Sequence, residues 1–155
     1  MFDIKQFRQC ILSPTMEALQ IRSPQLAELM VFTCATESAG GTYLKQIVGP
    51  ALGIYQIEPA TFTDVWVNYI LRKPDIVNLL SLNLGVHRMP LPTDVIHDLR
   101  LATATSLFLY IQRKAKPLDS TEETMWDLYK RLYNTVKGKA TKDASIKAYR
   151  RFAKV

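Results

Sequence analysis

Cysteine and histidine are almost missing from this chain. Cys10 and Cys34 are its only cysteines, and their separation matches no metal-ligand spacing. A disulfide scaffold and a zinc module are therefore excluded, and both thiols are expected to be buried, Cys34 within an apolar helix. His87 and His97 lie ten residues apart without a partner pattern and read as loop or helix-surface residues. Glycine is sparse as well, and Gly49-x-x-x-Gly53 lacks the Gly-Lys-Ser/Thr of a phosphate-binding loop. No cofactor and no metal are expected.

Long apolar runs are absent too. No stretch reaches the roughly eighteen apolar residues of a membrane-spanning helix. The nearest, Leu101 to Ile111, is broken by Thr103, Thr105 and Ser106. Met1 to Leu12 carries Asp3, Lys5 and Arg8 without an uninterrupted apolar core, so no secretory signal peptide is expected. These absences point to a chain that is soluble as synthesised.

Acidic residues are scarce in the last third. Residues 111–155 hold twelve Lys and Arg against five Asp and Glu, whereas residues 1–110 hold eight against nine. A basic end suits any polyanion, whether nucleic acid, anionic lipid or bacterial cell-wall polymer. The basic residues of the last helix are interleaved with Tyr149 and Phe152, and no recognition-helix motif precedes them, which argues against nucleic acid.

What is present is helical periodicity. At 155 residues the chain fits one domain, 1–155, able to bury about two thirds of its unfolded surface. A short amphipathic segment is expected over Asp3 to Leu12, and a helix from Ser23-Pro24 to Ser38 with serine as cap and proline in the first turn. Gly40 to Gly53 reads as a folded loop or small hairpin. Further helices are expected from Pro59 to about Leu71, from Asp75 to Leu84, and from Asp94 to Lys114 behind a Thr93 cap, the last apolar nearly all round and hence central. Ser120 and Glu123 have capping-box spacing for a helix carrying Met125, Trp126, Tyr129, Leu132 and Tyr133. Asn134 to Lys139 reads as a loop, and Thr141 opens a last basic helix with Ile146, Tyr149 and either Phe152 or Ala153 inward. The fold class is mainly α, with one irregular or hairpin insertion.

One residue sits oddly in this pattern. Leu26, Met30, Thr33 and Glu37 share one face of the second helix, and that face is expected to be buried. Gly40 and Gly41 can stop the helix in the left-handed conformation, which leaves Glu37 in its last turn at the negative end of the dipole. Burial and the dipole both disfavour the anion, the arrangement that keeps a glutamate protonated as a general acid.

Glu37-Ser38-Ala39-Gly40-Gly41 is followed by Gly49-Pro-Ala-Leu-Gly-Ile-Tyr-Gln-Ile-Glu-Pro-Ala-Thr61. The pair of motifs resembles the lytic transglycosylase domains of the lysozyme-like superfamily, best over residues 24–66. In that family a helix ends in Glu-Ser and a Gly-x-x-Gln-x-x-Pro-x-Thr segment floors a saccharide groove. The resemblance implies an α+β lysozyme-like fold, Glu37 as catalytic acid and base, and Ser38, Gly53, Tyr55 and Gln56 as substrate-binding residues. The family's later Ala-Tyr-Asn-Ala-Gly segment corresponds to Leu132-Tyr133-Asn134-Thr135-Val136, so Tyr133 and Asn134 carry over and the small residues do not. Leu132 to Thr141 is also similar to the ends of transglycosylase-like proteins of tailed bacteriophages. That implies virion association, or synthesis in the host cytoplasm with delivery to the periplasm. The partner implied is the peptidoglycan glycan strand, cut between N-acetylmuramic acid and N-acetylglucosamine. A second reading is a virion structural protein that has lost efficient catalysis and docks on other virion proteins through its basic end. Glu58, the other carboxylate in the motifs, precedes Pro59 at a helix start and is expected to serve there structurally.

Overall fold

Asp3 starts the chain's first helix, its side chain accepting the Gln6 N–H at 2.9 Å. Helix α1 covers residues 4–18 as three continuous pieces: Ile4–Gln6, a π-helical Phe7–Leu12, and Ser13–Ala18. The expected end at Leu12 is overrun because the wide turn, in which the Ser13 N–H reaches the Arg8 carbonyl, relieves the crowding that Pro14 imposes on the turn behind it. This computed structural model describes residues 1–135 and 138–153.

Helix α2, Pro24–Ser38, is capped by Ser23, whose hydroxyl accepts the Leu26 N–H at 3.1 Å. It departs from the expected single buried face: every residue from Leu29 to Ala35 is buried. It is a central helix, packed on α7 (Lys142–Ala153), α6 (Glu122–Tyr129) and α5 (Leu99–Gln112). Ala39, not a glycine, is the left-handed residue that ends it, at φ 50°. Gly40 and Gly41 serve packing as well. A Cβ on Gly40 would lie 2.6 Å from the Phe152 ring, and one on Gly41 would lie 2.3 Å from the Phe2 ring.

Helix α3, Pro59–Asn68, is followed by a 3-10 turn at Ile70–Arg72, and α4, Pro74–Leu84, ends at a left-handed Gly85. Helix α5 starts later than expected. Asp98 caps it, accepting the Leu101 N–H at 2.8 Å, while Thr93 and Asp94 belong to a separate 3-10 turn, Pro92–Ile96. Asp94 is spent on that turn, accepting the Leu91 N–H at 2.8 Å. From Leu101 to Tyr110 α5 is buried on all sides, as its composition requires.

Thr121 caps α6 in place of the expected Ser120, and the helix continues as a π-helical Lys130–Asn134. In α7, Phe152 is buried and Ile146, Tyr149 and Ala153 pack against the core. Two of its cations are neutralised from α6, Arg150 by Glu122 at 2.6 Å and Lys142 by Glu123 at 2.5 Å. Cys34 is buried, and burial pushes its thiol up to about 12; Cys10 is exposed, against expectation, because it falls on the outer side of the π-helical turn.

The segment between α2 and α3 is a folded loop. It holds isolated antiparallel bridges, Lys45 to Leu52 and Leu52 to Ile57, and no sheet forms among the described residues. The fold is thus mainly helical, with seven helices and one irregular insertion among the described residues. Among the described residues no helix is long and apolar enough to cross a membrane.

Candidate active site

The end of α2, the start of α3, the end of α5 and the π-helical end of α6 meet around a cleft of about 660 Å³. Glu37 lines it, half-buried, in the last turn of α2. Burial pushes its carboxyl from the ordinary 4.5 up to about 7, opposed in part by a hydrogen bond donated by the Tyr129 hydroxyl to Oε1 at 2.6 Å. The Tyr129 hydroxyl is itself raised by burial and by the Glu37 charge, so it keeps its proton and acts as a donor. Among the described residues Oε2 accepts no hydrogen bond, which leaves one oxygen of Glu37 to hold a transferable proton.

Gln56, Tyr133 and Asn134 line the same cleft. Gln56 is left-handed, at φ 45°, and donates one amide hydrogen to the Gly53 carbonyl at 2.7 Å. The Tyr133 hydroxyl donates to the Tyr55 carbonyl at 2.8 Å and lies 3.2 Å from the Ser106 hydroxyl, and burial and the Glu37 charge hold it well above its ordinary range. Asn134 Oδ1 accepts the Lys130 ammonium at 2.8 Å.

The other three residues expected at the substrate are elsewhere. Ser38 is fully buried and tethers the helix end from behind, donating to the Ile54 carbonyl at 2.6 Å and accepting the Gly41 N–H at 2.9 Å. Gly53, at φ 73°, faces the fold: a Cβ there would lie 2.5 Å from the Val95 carbonyl oxygen, so its openness admits backbone, not a sugar. Tyr55 is a core tyrosine with no exposed surface, too large and too enclosed between α2 and α5 to reach the cleft. These three shape the wall without touching its open side.

Several cleft residues escape sequence reasoning. Tyr129 sits four residues before Tyr133, on the same helical face, and helical spacing alone gives no means of choosing between them. Arg113 and Lys139 add positive charge to the lining, the former donating to the Leu132 carbonyl. Glu58 occupies the capping position of α3, as expected of a helix start, but its carboxylate caps nothing; it is exposed and lines the cleft. Among the described residues no group of three or more His, Cys, Asp or Glu side chains could hold a metal ion.

The chain matches no protein-family model, no curated protein and no solved structure.

Proposed function

We propose that the chain is a peptidoglycan lytic transglycosylase of lysozyme-like build, with Glu37 as its single general acid and base. The observation that carries this reading is the state of Glu37: a carboxyl at an open cleft, raised to about 7 by burial and fixed through Oε1 by Tyr129. At neutral pH such a group is present in both forms, so it can give a proton and take one back. Glu37 Oε2 protonates the oxygen of the β-1,4 bond between N-acetylmuramic acid and N-acetylglucosamine, and the anomeric carbon develops oxocarbenium character. The carboxylate then accepts the proton of the sugar's own 6-hydroxyl. That oxygen closes on the anomeric carbon to leave a 1,6-anhydro ring, and no water is consumed.

The lining supports an anionic glycan. Arg113 and Lys139 suit a strand that carries carboxylates on its peptide stems better than a neutral polymer. A mainly helical fold with one folded loop after the glutamate-bearing helix supports the lysozyme-like class. In this reading the protein reaches the wall as a virion component or by release from a host cytoplasm.

Glu58 favours a second reading. An exposed carboxylate in the same cleft, free of any capping duty, is the group an inverting or retaining hydrolase would need as base or nucleophile. Mass spectrometry of fragments released from purified peptidoglycan separates the two. Fragments one water lighter, ending in 1,6-anhydro-N-acetylmuramic acid, are expected; ordinary reducing ends would give the reaction to hydrolysis.

A further inference from the structure

Helix α7 presents three kinds of surface. Ser145 and Phe152 are buried in the core, with Ile146 and Tyr149 packed beside them. Lys142 and Arg150 are paired with Glu123 and Glu122 of α6. The remaining stripe, Ala144, Lys147, Ala148 and Arg151, recurs at helical intervals of three, one and three and lines a separate groove of about 440 Å³. Across from it lie Ala39, the left-handed residue that ends α2, and Tyr43, which is 46% exposed.

The chemistry of this groove is uneven in an informative way. Alanines on both sides keep it open to an apolar side chain, and Tyr43 offers an aromatic wall with a polar tip. Lys147 and Arg151, one helical turn apart, form no ion pair among the described residues, while the two cations on the neighbouring face are neutralised. Cationic side chains four apart on a helix sit about 6 Å from each other, a span that two carboxylates on one face of a peptide match. A polynucleotide would need cations distributed along several phosphates, and a bilayer surface does not fill a concave site.

We propose that this groove docks a short acidic segment of a partner protein, its apolar side chain seated among Ala39, Ala144 and Ala148 and its two carboxylates on Lys147 and Arg151. The site is distinct from the cleft, and its occupation requires no catalysis.

Short random peptides displayed on yeast and selected against the whole protein test this directly. Enriched sequences are expected to carry paired acidic residues around one apolar residue. As synthetic peptides followed by fluorescence anisotropy, they are expected to bind at least about tenfold more weakly to Lys147→Glu/Arg151→Glu. Ala148→Trp, which fills the groove and keeps both charges, is expected to abolish binding; Lys147 and Arg151 are exposed and Ala148 is half-buried, and circular dichroism checks that the helix content of both variants is unchanged. The proposal is overturned if no acidic peptide is enriched, if the variants bind the selected peptides as the parent does, or if phosphatidylglycerol vesicles or a single-stranded oligonucleotide, not peptides, show the binding that these substitutions remove.

Discussion

On one side of the cleft, the chain from Ser38 to Thr61 is held mostly by its own backbone, with the Ser38 hydroxyl and the Gln56 amide adding side-chain ties. Gly53 donates to the Leu44 carbonyl at 2.8 Å, Leu52 and Ile57 exchange hydrogen bonds at 3.0 and 2.9 Å, and Ser38 ties the helix end to Ile54. On the other side, the π-helical end of α6 and the segment 138–140 are held by side chains. The Lys130 ammonium donates to Asn134 Oδ1 at 2.8 Å, to the Gly138 carbonyl at 2.7 Å and to the Ala140 carbonyl at 3.2 Å, while Arg113 holds the Leu132 carbonyl. Each side also carries a left-handed residue without glycine's freedom, Gln56 at φ 45° and Thr135 at φ 64°. A backbone-held wall spreads its constraint over many positions; a wall held by side chains concentrates it on the few that hold it, Lys130 and Arg113, and on Gly138, where a Cβ would lie 2.1 Å from Asn134 Oδ1.

The largest effect tests what the two walls share. Glu37→Gln keeps the shape and removes the transferable proton, so turnover on peptidoglycan suspensions is expected to fall by about 10²-fold or more, with folding intact. Parent activity is expected to decline as pH rises through about 7, where the acid form is lost. Stability follows the same group. Between its ordinary 4.5 and about 7 the folded state binds more protons than the unfolded state, so the Glu37 contribution to stability falls as pH rises across that window. Glu37→Gln is therefore expected to be more stable than the parent at pH 8 by about 1–3 kcal/mol, with no gain at pH 4, as read by urea denaturation. Equal stability at both pH values would show that the carboxyl is not held in its acid form.

Gly53→Ala breaks the backbone-held side. The residue is left-handed, and its new methyl would meet the Val95 carbonyl oxygen at 2.5 Å, so a loss of about 2–3 kcal/mol in denaturation is expected. Lys130→Met breaks the other side. Three acceptors lose their donor but regain water in part, so the expected loss is smaller, about 1 kcal/mol, with a raised KM and little change in kcat. If Lys130→Met proves as costly as Gly53→Ala, the contrast between the walls fails. The smallest effect sharpens the chemistry: Glu58→Gln is expected to retain activity within about twofold, since the anhydro route needs no second carboxylate. A dead Glu58→Gln variant would move the reaction to hydrolysis.

The same contrast decides what could be read from sequence. Helices α2 and α5 were legible because their apolar residues and caps are local signals, although Asp98 took the cap that Thr93 promised and Asp94 spent its carboxylate on its own turn. The pairing of Glu37 with Gln56 on one cleft side came from the resemblance of the two motifs, within which geometry requires Ser38 and Gly53. Even so, the motif could not distinguish residues that face the open cleft from those that brace it, and Ser38, Gly53 and Tyr55 brace it. Tyr129, Arg113 and Lys130 carried no signal, since a tyrosine or a cation at helical spacing looks the same whether it faces core, solvent or cleft. The run of α1 past Pro14 was hidden for a related reason: a π-helical turn has no residue signature of its own.

The rings seated on Gly40 and Gly41 have a consequence for the order of folding. Phe2 and Phe7 stack at 6.0 Å, Phe7 and Phe152 lie 5.8 Å apart, and the Phe2 N–H donates to the Gly40 carbonyl at 2.8 Å. The turn at Gly40 and Gly41, three and four residues beyond Glu37, is thus closed by segments from opposite ends of the described chain. Contacts of such sequence separation carry a large loop-closure entropy and form late, after the local helices have nucleated. The local helices are expected to nucleate before this turn is closed, and the arrival of Phe152 then fixes the turn that follows Glu37. Hydrogen exchange at the Phe2 amide would report that step separately from the protection of α2 and α5.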